Sequence, residues 1–456
     1  MDLKQRVDMT QGNPYKNLIL FSIPLLLGNF FQQLYNTADS AIVGQILGEK
    51  ALAAVGLGFP FMAIMFCVYV GLGMATTIMV AQAIGAKDEA RVNLIFNTIY
   101  RLCVISIVPI TFLGIIALDP VLHLLKVPED GTFVMSSAYL KVIFLGLITT
   151  MGFNINTGLL QGLGDSITSL KLLAVASVAN IGLDYLMVGP LEMGVAGAAW
   201  ATVAAQGISW ILGLIIINKR YAYINLNILK LSYDRDLGEK AIRMGIPTAL
   251  QNALYSVGAL TFYSIITAYG SDFLAGFSGA NKLDMFAFTT VQSFANATTT
   301  YVGQNLGAKN LERARDGLRS GLILNVGTAI ITSSLCYIFS TPLLMIFGDG
   351  AGMIQSGEYY LHTVLPFYFI LAVFFTYNGA LRGVGQMNIP LLASLISLWG
   401  VRVPTAFYIA DKFGKEYIFF SYGLGWTVGA LIVLGFYYFG SWKKDLELRI
   451  SAEINN

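Results

Sequence analysis

The apolar runs along this chain, more than any other feature, limit what it can fold into. Predominantly apolar windows fall near 18–42, 52–80, 92–118, 134–157, 168–189 and 193–217. A second set follows near 244–269, 274–304, 320–347, 359–381, 388–410 and 417–441. Each is long enough to cross the hydrocarbon core of a bilayer, which takes about 20 helical residues. Composition agrees: 12% of the residues are charged and 56% hydrophobic, where a soluble domain carries roughly 25% charge. So apolar a surface would aggregate in water. The reading is an all-α polytopic membrane protein with twelve transmembrane helices. A net charge of +2 leaves no basic surface for a nucleic acid. Cys67, Cys103 and Cys336 lie in apolar runs without paired spacing, so neither a disulfide framework nor a zinc site is expected.

Basic residues set the orientation. Residues 1–17 form a polar segment with Lys4, Arg6 and Lys16, and no cleavable leader pattern follows it. Of the 28 basic residues, 21 fall on the side of the membrane that holds the N-terminus, among them Lys87, Arg91, Lys219, Arg220, Lys230, Arg243, Lys309, Arg313, Arg382, Lys443, Lys444 and Arg449. The opposite side holds Lys50, Lys126, Lys141, Lys412 and Lys415. This asymmetry predicts that both termini are cytoplasmic, in the inner or plasma membrane.

The two sets of six spans resemble each other. Ile23-Pro24 recurs as Ile246-Pro247, and Gln82, Gly85, Ala86 and Lys87 recur as Gln304, Gly307, Ala308 and Lys309. Pro120 is matched by Pro342, and Gly158-Leu-Leu-Gln-Gly-Leu-Gly164 by Gly379-Ala-Leu-Arg-Gly-Val-Gly385. All four matches lie 221–223 residues apart. The expected organisation is a six-helix bundle over 18–217, a linker over 218–243, a second bundle over 244–441 and a tail over 442–456. Six is even, so both bundles insert with the same orientation. They should be related by a pseudo-two-fold axis along the membrane normal, with the binding site between them. Bundles so related rock against each other, the geometry of alternating access.

At this point the residues resemble the multidrug and toxic compound extrusion (MATE) family over essentially the whole chain. The most specific parts are Tyr35-Asn-Thr-Ala-Asp39-Ser in the first span and Asn180-Ile-Gly-Leu-Asp184 in the fifth. They look like the branch typified by the DinF and archaeal transporters. The resemblance implies efflux of organic, often cationic, compounds in exchange for Na+ or H+, with no other cofactor. The NorM-like branch has acidic residues in spans seven and ten, where this chain has Gln251, Asn252, Tyr377 and Asn378.

Asp39 can be weighed on its own terms. A carboxylate at span depth costs about 2.5–3.5 kcal/mol on insertion scales, so its retention points to function. Asn29, Gln32, Asn36 and Asp39 follow 3-4-3 spacing and line one face of span one. Asn180 and Asp184 share a face of span five, with Ser177 one turn below. Thr202, Gln206 and Ser209 share a face of span six, with Thr202 about 13 Å from its start by the helical rise. These faces can meet in the outer half of the first bundle. In terms of the resemblance, Asp39, Asn180, Asp184 and Thr202 match the cation site of the archaeal-type members, with Gln32, Asn36, Asn154 and Gln206 as a supporting polar face. Their oxygens suit a hard cation, and two carboxyls in a dry pocket suit a shared proton equally well. Pro24 removes a backbone hydrogen bond from span one and offers a hinge.

In the second half, Lys282, Asp284 and Arg402 lie at span depth, and Arg402 is expected to pair with Asp284. Gln292, Asn296, Thr299 and Gly303 form a polar stripe on span eight, and Gln251 and Tyr255 lie one turn apart on span seven. These are candidates for a substrate cavity, although polar helix seams look alike. His123 and His362 stand alone, without metal-ligand spacing. No GxxxxGK[ST], HExxH or GxSxG motif occurs, which argues against a nucleotide-driven pump and a hydrolase. The expected function is ion-coupled export of cationic amphiphiles by a monomer. The competing readings are a lipid-linked oligosaccharide flippase of the same superfamily and a channel.

Overall fold

The computed structural model describes residues 6–124, 127–128, 131–226 and 231–440, and for 57–68 the backbone alone. Lys4, Lys126, Lys230, Lys443, Lys444, Arg449 and the side chain of Cys67 lie outside the described residues. Everything regular within them is helical. The first half holds α1 (Pro14–Leu47), α2 (Glu49–Gly85), α3 (Glu89–Leu124), α4 (Thr132–Leu145), α5 (Leu147–Gly162), α6 (Ser166–Val188) and α7 (Gly194–Arg220). The second holds α8 (Arg235–Thr267), α9 (Ser271–Gly307), α10 (Leu311–Ile338), the short α11 (Ser340–Met345), α12 (Ala351–Val364), α13 (Tyr368–Val384), α14 (Asn388–Leu395), α15 (Val403–Lys412) and α16 (Phe420–Phe439).

These elements make twelve spans. Helices α4 and α5 form one span bent by 50°. Helices α12 and α13 are continuous through a 3-10 turn at Leu365–Phe367, and α14 and α15 through a π-helix at Ile396–Arg402. Helices α3 and α10 expose Val108, Phe112, Ile331 and Ile338, each more than half accessible. Only a bilayer solvates such faces without aggregation.

The chain divides into two compact units, Met1–Val7 with Ile23–Ala249, and Asp8–Ser22 with Leu250–Asn456. The unit boundary therefore falls inside α1, between Ser22 and Ile23, and inside α8, between Ala249 and Leu250. Pro24 and Pro247 stand next to these two points. In the second unit the N-terminal segment is tied down by side chains from α9 and α10. Gln304 Oε1 accepts from the Met9 N–H at 3.1 Å, and Asn305 Nδ2 and Arg313 Nε donate to the Met9 carbonyl at 2.9 and 3.1 Å.

Within each unit the repeated motifs perform the same structural task. A Cβ on Gly158 would stand 2.4 Å from the Gly73 carbonyl oxygen, and one on Gly162 2.7 Å from that of Thr77, so α5 lies backbone to backbone on α2. In the second unit a Cβ on Gly379 would stand 2.4 Å from the Ala295 oxygen, and one on Gly383 2.6 Å from that of Thr299, which puts α13 on α9 in the same way. Small residues that allow close approach are what drives helix association in lipid, where hydrophobicity does not. Thr77 Oγ1 adds an interhelical hydrogen bond to the Gly158 carbonyl at 3.1 Å. The Gly-Ala-Lys turns also coincide: Lys87 and Lys309 both sit at positive φ, 59° and 57°. Each is followed by an Asx residue that caps the next helix, Asp88 Oδ1 accepting from the Arg91 N–H and Asn310 Oδ1 from that of Arg313.

Candidate functional site

In the first unit, α1, α6 and α7 bring Asp39, Asn180, Asp184, Thr202 and Gln206 to one place. Asp184 and Asn180 are fully buried and Asp39 half-buried. Asn180 Nδ2 donates to Thr202 Oγ1 at 3.3 Å. Among the described residues, five buried acceptor oxygens here have no donor: Asp39 Oδ1, both Asp184 oxygens, Asn180 Oδ1 and Gln206 Oε1. The two carboxyls are close enough to act on each other and on the phenols of Tyr35 and Tyr139. Gln32, Tyr35, Ser177, Asn180, Thr202 and Gln206 contribute the polar lining of a small cavity beside them. A cluster of unpartnered oxygens in a low-dielectric surrounding is complementary to a positive charge.

Two members of the expected supporting face are not among the residues lining this cavity. Asn36 is exposed. Asn154 turns its amide back onto its own helix, donating to the Thr150 carbonyl at 2.8 Å. Both departures have one cause: helical spacing fixes which residues share a face, while the neighbouring helices decide how far along that face burial extends.

Nearer the ends of α6 and α7 lies a second polar cluster, built as a lock. Arg220 Nη1 pairs with the fully buried Asp165 at 2.9 Å, and Tyr221 and Thr168 donate to the same carboxylate oxygen at 3.0 and 2.8 Å. Burial holds the Tyr221 phenol well above its ordinary range, so it remains a donor. These contacts tie the start of α6 to the end of α7.

The second unit differs. The expected ion pair between Asp284 and Arg402 does not form. Asp284 Oδ1 accepts from the Tyr368 hydroxyl at 2.5 Å, while the Arg402 guanidinium lies on the Tyr422 ring, 3.2 Å from its centroid, with Phe262 at 4.9 Å. The π-helix before α15 ends on Arg402. Lys282 is exposed and stands over the Phe347 ring at 5.3 Å. Gln292 and Asn296 are half-buried on α9, and Thr299 bonds back to the Ala295 carbonyl. Gln251 is buried, with its amide on Ser394 Oγ at 2.5 Å and on the Pro390 carbonyl at 3.2 Å. Tyr255 donates to the same serine at 2.9 Å.

The MatE family signature matches this chain twice, over residues 24–186 and 247–408. The two matches begin at the two prolines and together cover most of the chain. The chain belongs to the MatE family. It is 30% identical to the probable multidrug resistance protein NorM of Thermotoga maritima over 87% of this chain and 86% of that one. It is 29% identical to the probable multidrug resistance protein YpnP of Bacillus subtilis over 96% of this chain and 97% of that one. The fold matches a MATE transporter solved in complex with MaL6 (TM-score 0.87, 24% identity, 99% of this chain and 100% of that one). It also matches a MOP superfamily transporter from Pyrococcus furiosus (TM-score 0.87, 24% identity, 99% of each chain).

As a MatE transporter, then, the protein is an integral membrane protein of two six-helix bundles. Sequence reasoning missed three polar residues that the structure places with the candidates. Tyr35 lies one turn before Asp39, a spacing that would have flagged it. Tyr139 comes from α4 and had no such signal. Arg382, counted with the loop charges that set topology, is instead half-buried on α13, its Nη2 donating to Gln251 Oε1 at 2.5 Å.

Proposed function

We propose that this MatE protein is a secondary active exporter of organic, cationic amphiphilic compounds, driven by Na+ or H+ entering in exchange. The observation that carries this reading is the group of unpartnered buried oxygens around Asp39 and Asp184. Two carboxylates cannot both stay charged and dry without an added cation or proton. Loading neutralises the pair and changes the packing of α1, in which Pro24 gives the helix a bending point. Ion and substrate favour different conformations, and that difference in affinity is the thermodynamic requirement for antiport. The names of the NorM and YpnP relatives support organic compounds as cargo. The distribution of basic residues supports cytoplasmic termini, and one chain with both bundles supports a monomeric transporter.

The test is efflux of a fluorescent cation such as ethidium from proteoliposomes under an imposed Na+ or H+ gradient. Wild-type protein should respond to one of the two. Asp39→Asn and Asp184→Asn should each lower gradient-driven efflux at least tenfold while dye binding persists. Full coupling in Asp39→Asn at normal protein levels would overturn the reading.

A further inference from the structure

The two units carry the same fold, so positions matched by the repeat separate what packing requires from what it does not. Gly158 and Gly162 on α5, and Gly379 and Gly383 on α13, are required for close approach. The residue between them is Gln161 in the first unit and Arg382 in the second. At the same offsets Gln251 corresponds to Gly28, Tyr255 to Gln32 and Ser394 to Leu173. In the first unit the matched contact is apolar: a Cβ on Gly28 would stand 3.3 Å from Leu173 Cδ2. The second unit replaces it with a polar chain in which Arg382 donates to Gln251, whose amide in turn meets Ser394, with Tyr255 on the same hydroxyl. The first unit holds the matched helices together without such a chain of groups.

Arg382 is not neutralised there. Among the described residues it forms no ion pair, its one side-chain hydrogen bond goes to a neutral amide, and its Nε is buried without a partner. A guanidinium presents five N–H donors in a planar fork suited to a carboxylate or phosphate. Arg382 stands in the last turn of α13, and a guanidinium held there without a carboxylate keeps donors for an anionic group. One turn earlier on α13, the Asn378 amide is buried with its Oδ1 also unpartnered, and turned over it would aim N–H groups instead.

We infer that Arg382, held in place by Gln251, forms an anion subsite in the second unit that takes the carboxylate of a zwitterionic organic substrate. This rests on the export reading and narrows it, since the cargo then carries an acid as well as a cation.

The purified protein in nanodiscs is titrated with rhodamine B, a zwitterion with a free carboxylate, and with its cationic ethyl ester. Binding is followed by fluorescence anisotropy. Wild type should hold the acid at least tenfold more tightly than the ester. Arg382→Gln, which installs the residue of the matched position in the first unit, should bind the two dyes alike, and Arg382→Lys should keep part of the preference. Inorganic phosphate and phosphatidylglycerol are added in separate arms. An acid preference that survives in Arg382→Gln, or is absent from wild type, overturns the subsite. So does an arginine-dependent response to phosphatidylglycerol or phosphate alone, which would assign the guanidinium to a lipid headgroup or a free ion. Gradient-driven efflux of the ester by wild type is read in parallel: its absence would sink the export reading, whereas the acid-against-ester binding comparison judges the subsite alone.

Discussion

At the scale of single residues, the two units put opposite chemistry at matched positions. Asp39 in α1 corresponds to Phe262 in α8, which packs in an aromatic cluster with Phe277, Phe419 and Tyr422. The region of Asn180 and Asp184 corresponds to that of Arg402 and Thr405. The first unit therefore keeps buried carboxyl and amide oxygens without partners, and the second holds its own cations on aromatic rings or amides. Thr202 allows the two candidate ions to be told apart. A hydroxyl oxygen can coordinate Na+, but it adds nothing to a proton held by carboxyls. If Na+ is the coupling ion, Thr202→Val should raise the Na+ concentration for half-maximal efflux about tenfold; with H+ it should leave the pH profile unmoved. Proteoliposome titration against each ion reads this directly. The members of this site that were legible from sequence were the rare ones: Asp39, Asn180 and Asp184 are conspicuous in apolar runs. Tyr139 was not, because an aromatic residue in a membrane helix has many ordinary reasons to be there.

At the scale of elements, the glycines of α5 and α13 were visible as a repeated string, but their task was not. The string has no directional signal saying which face meets α2 or α9. Gly158→Ala should force the α2 and α5 backbones apart, since the new methyl would stand 2.4 Å from a carbonyl oxygen. An overpacking cost of about 1–3 kcal/mol is expected. Gly182→Ala on α6, with open space around the added methyl, is the control. Thermal unfolding in detergent should show a clear drop for the first and none for the second, while equal drops would refute the close-approach account. The π-helix at Ile396–Arg402 is another feature the sequence hid. Periodicity at 3.6 residues does not register one extra residue in a turn, yet that residue sets where Arg402 points.

At the scale of the whole molecule, α1 and α8 each belong to both units, and each carries a proline next to the point of exchange. A proline inside a helix removes one backbone hydrogen bond and lowers the cost of bending. Pro24→Ala and Pro247→Ala should stiffen these helices. The expected outcome is a several-fold fall in maximal efflux rate with little change in the half-saturating ion concentration. A shift in ion affinity without a change in rate would place the prolines at the site and not in the motion.

The sequence by itself determined the class and number of spans, the repeat, and the presence of two carboxylates that insertion does not explain. Those properties follow from hydropathy and from spacing along one helix, and both are written locally. Only the tertiary structure decided which polar faces meet. It left Asn36 exposed, separated Arg402 from Asp284, and drew Arg382 out of the loop charges into contact with Gln251. The reason is physical: a helix fixes the relative directions of its own side chains, but the rotation and approach of its neighbours depend on small residues distant in sequence.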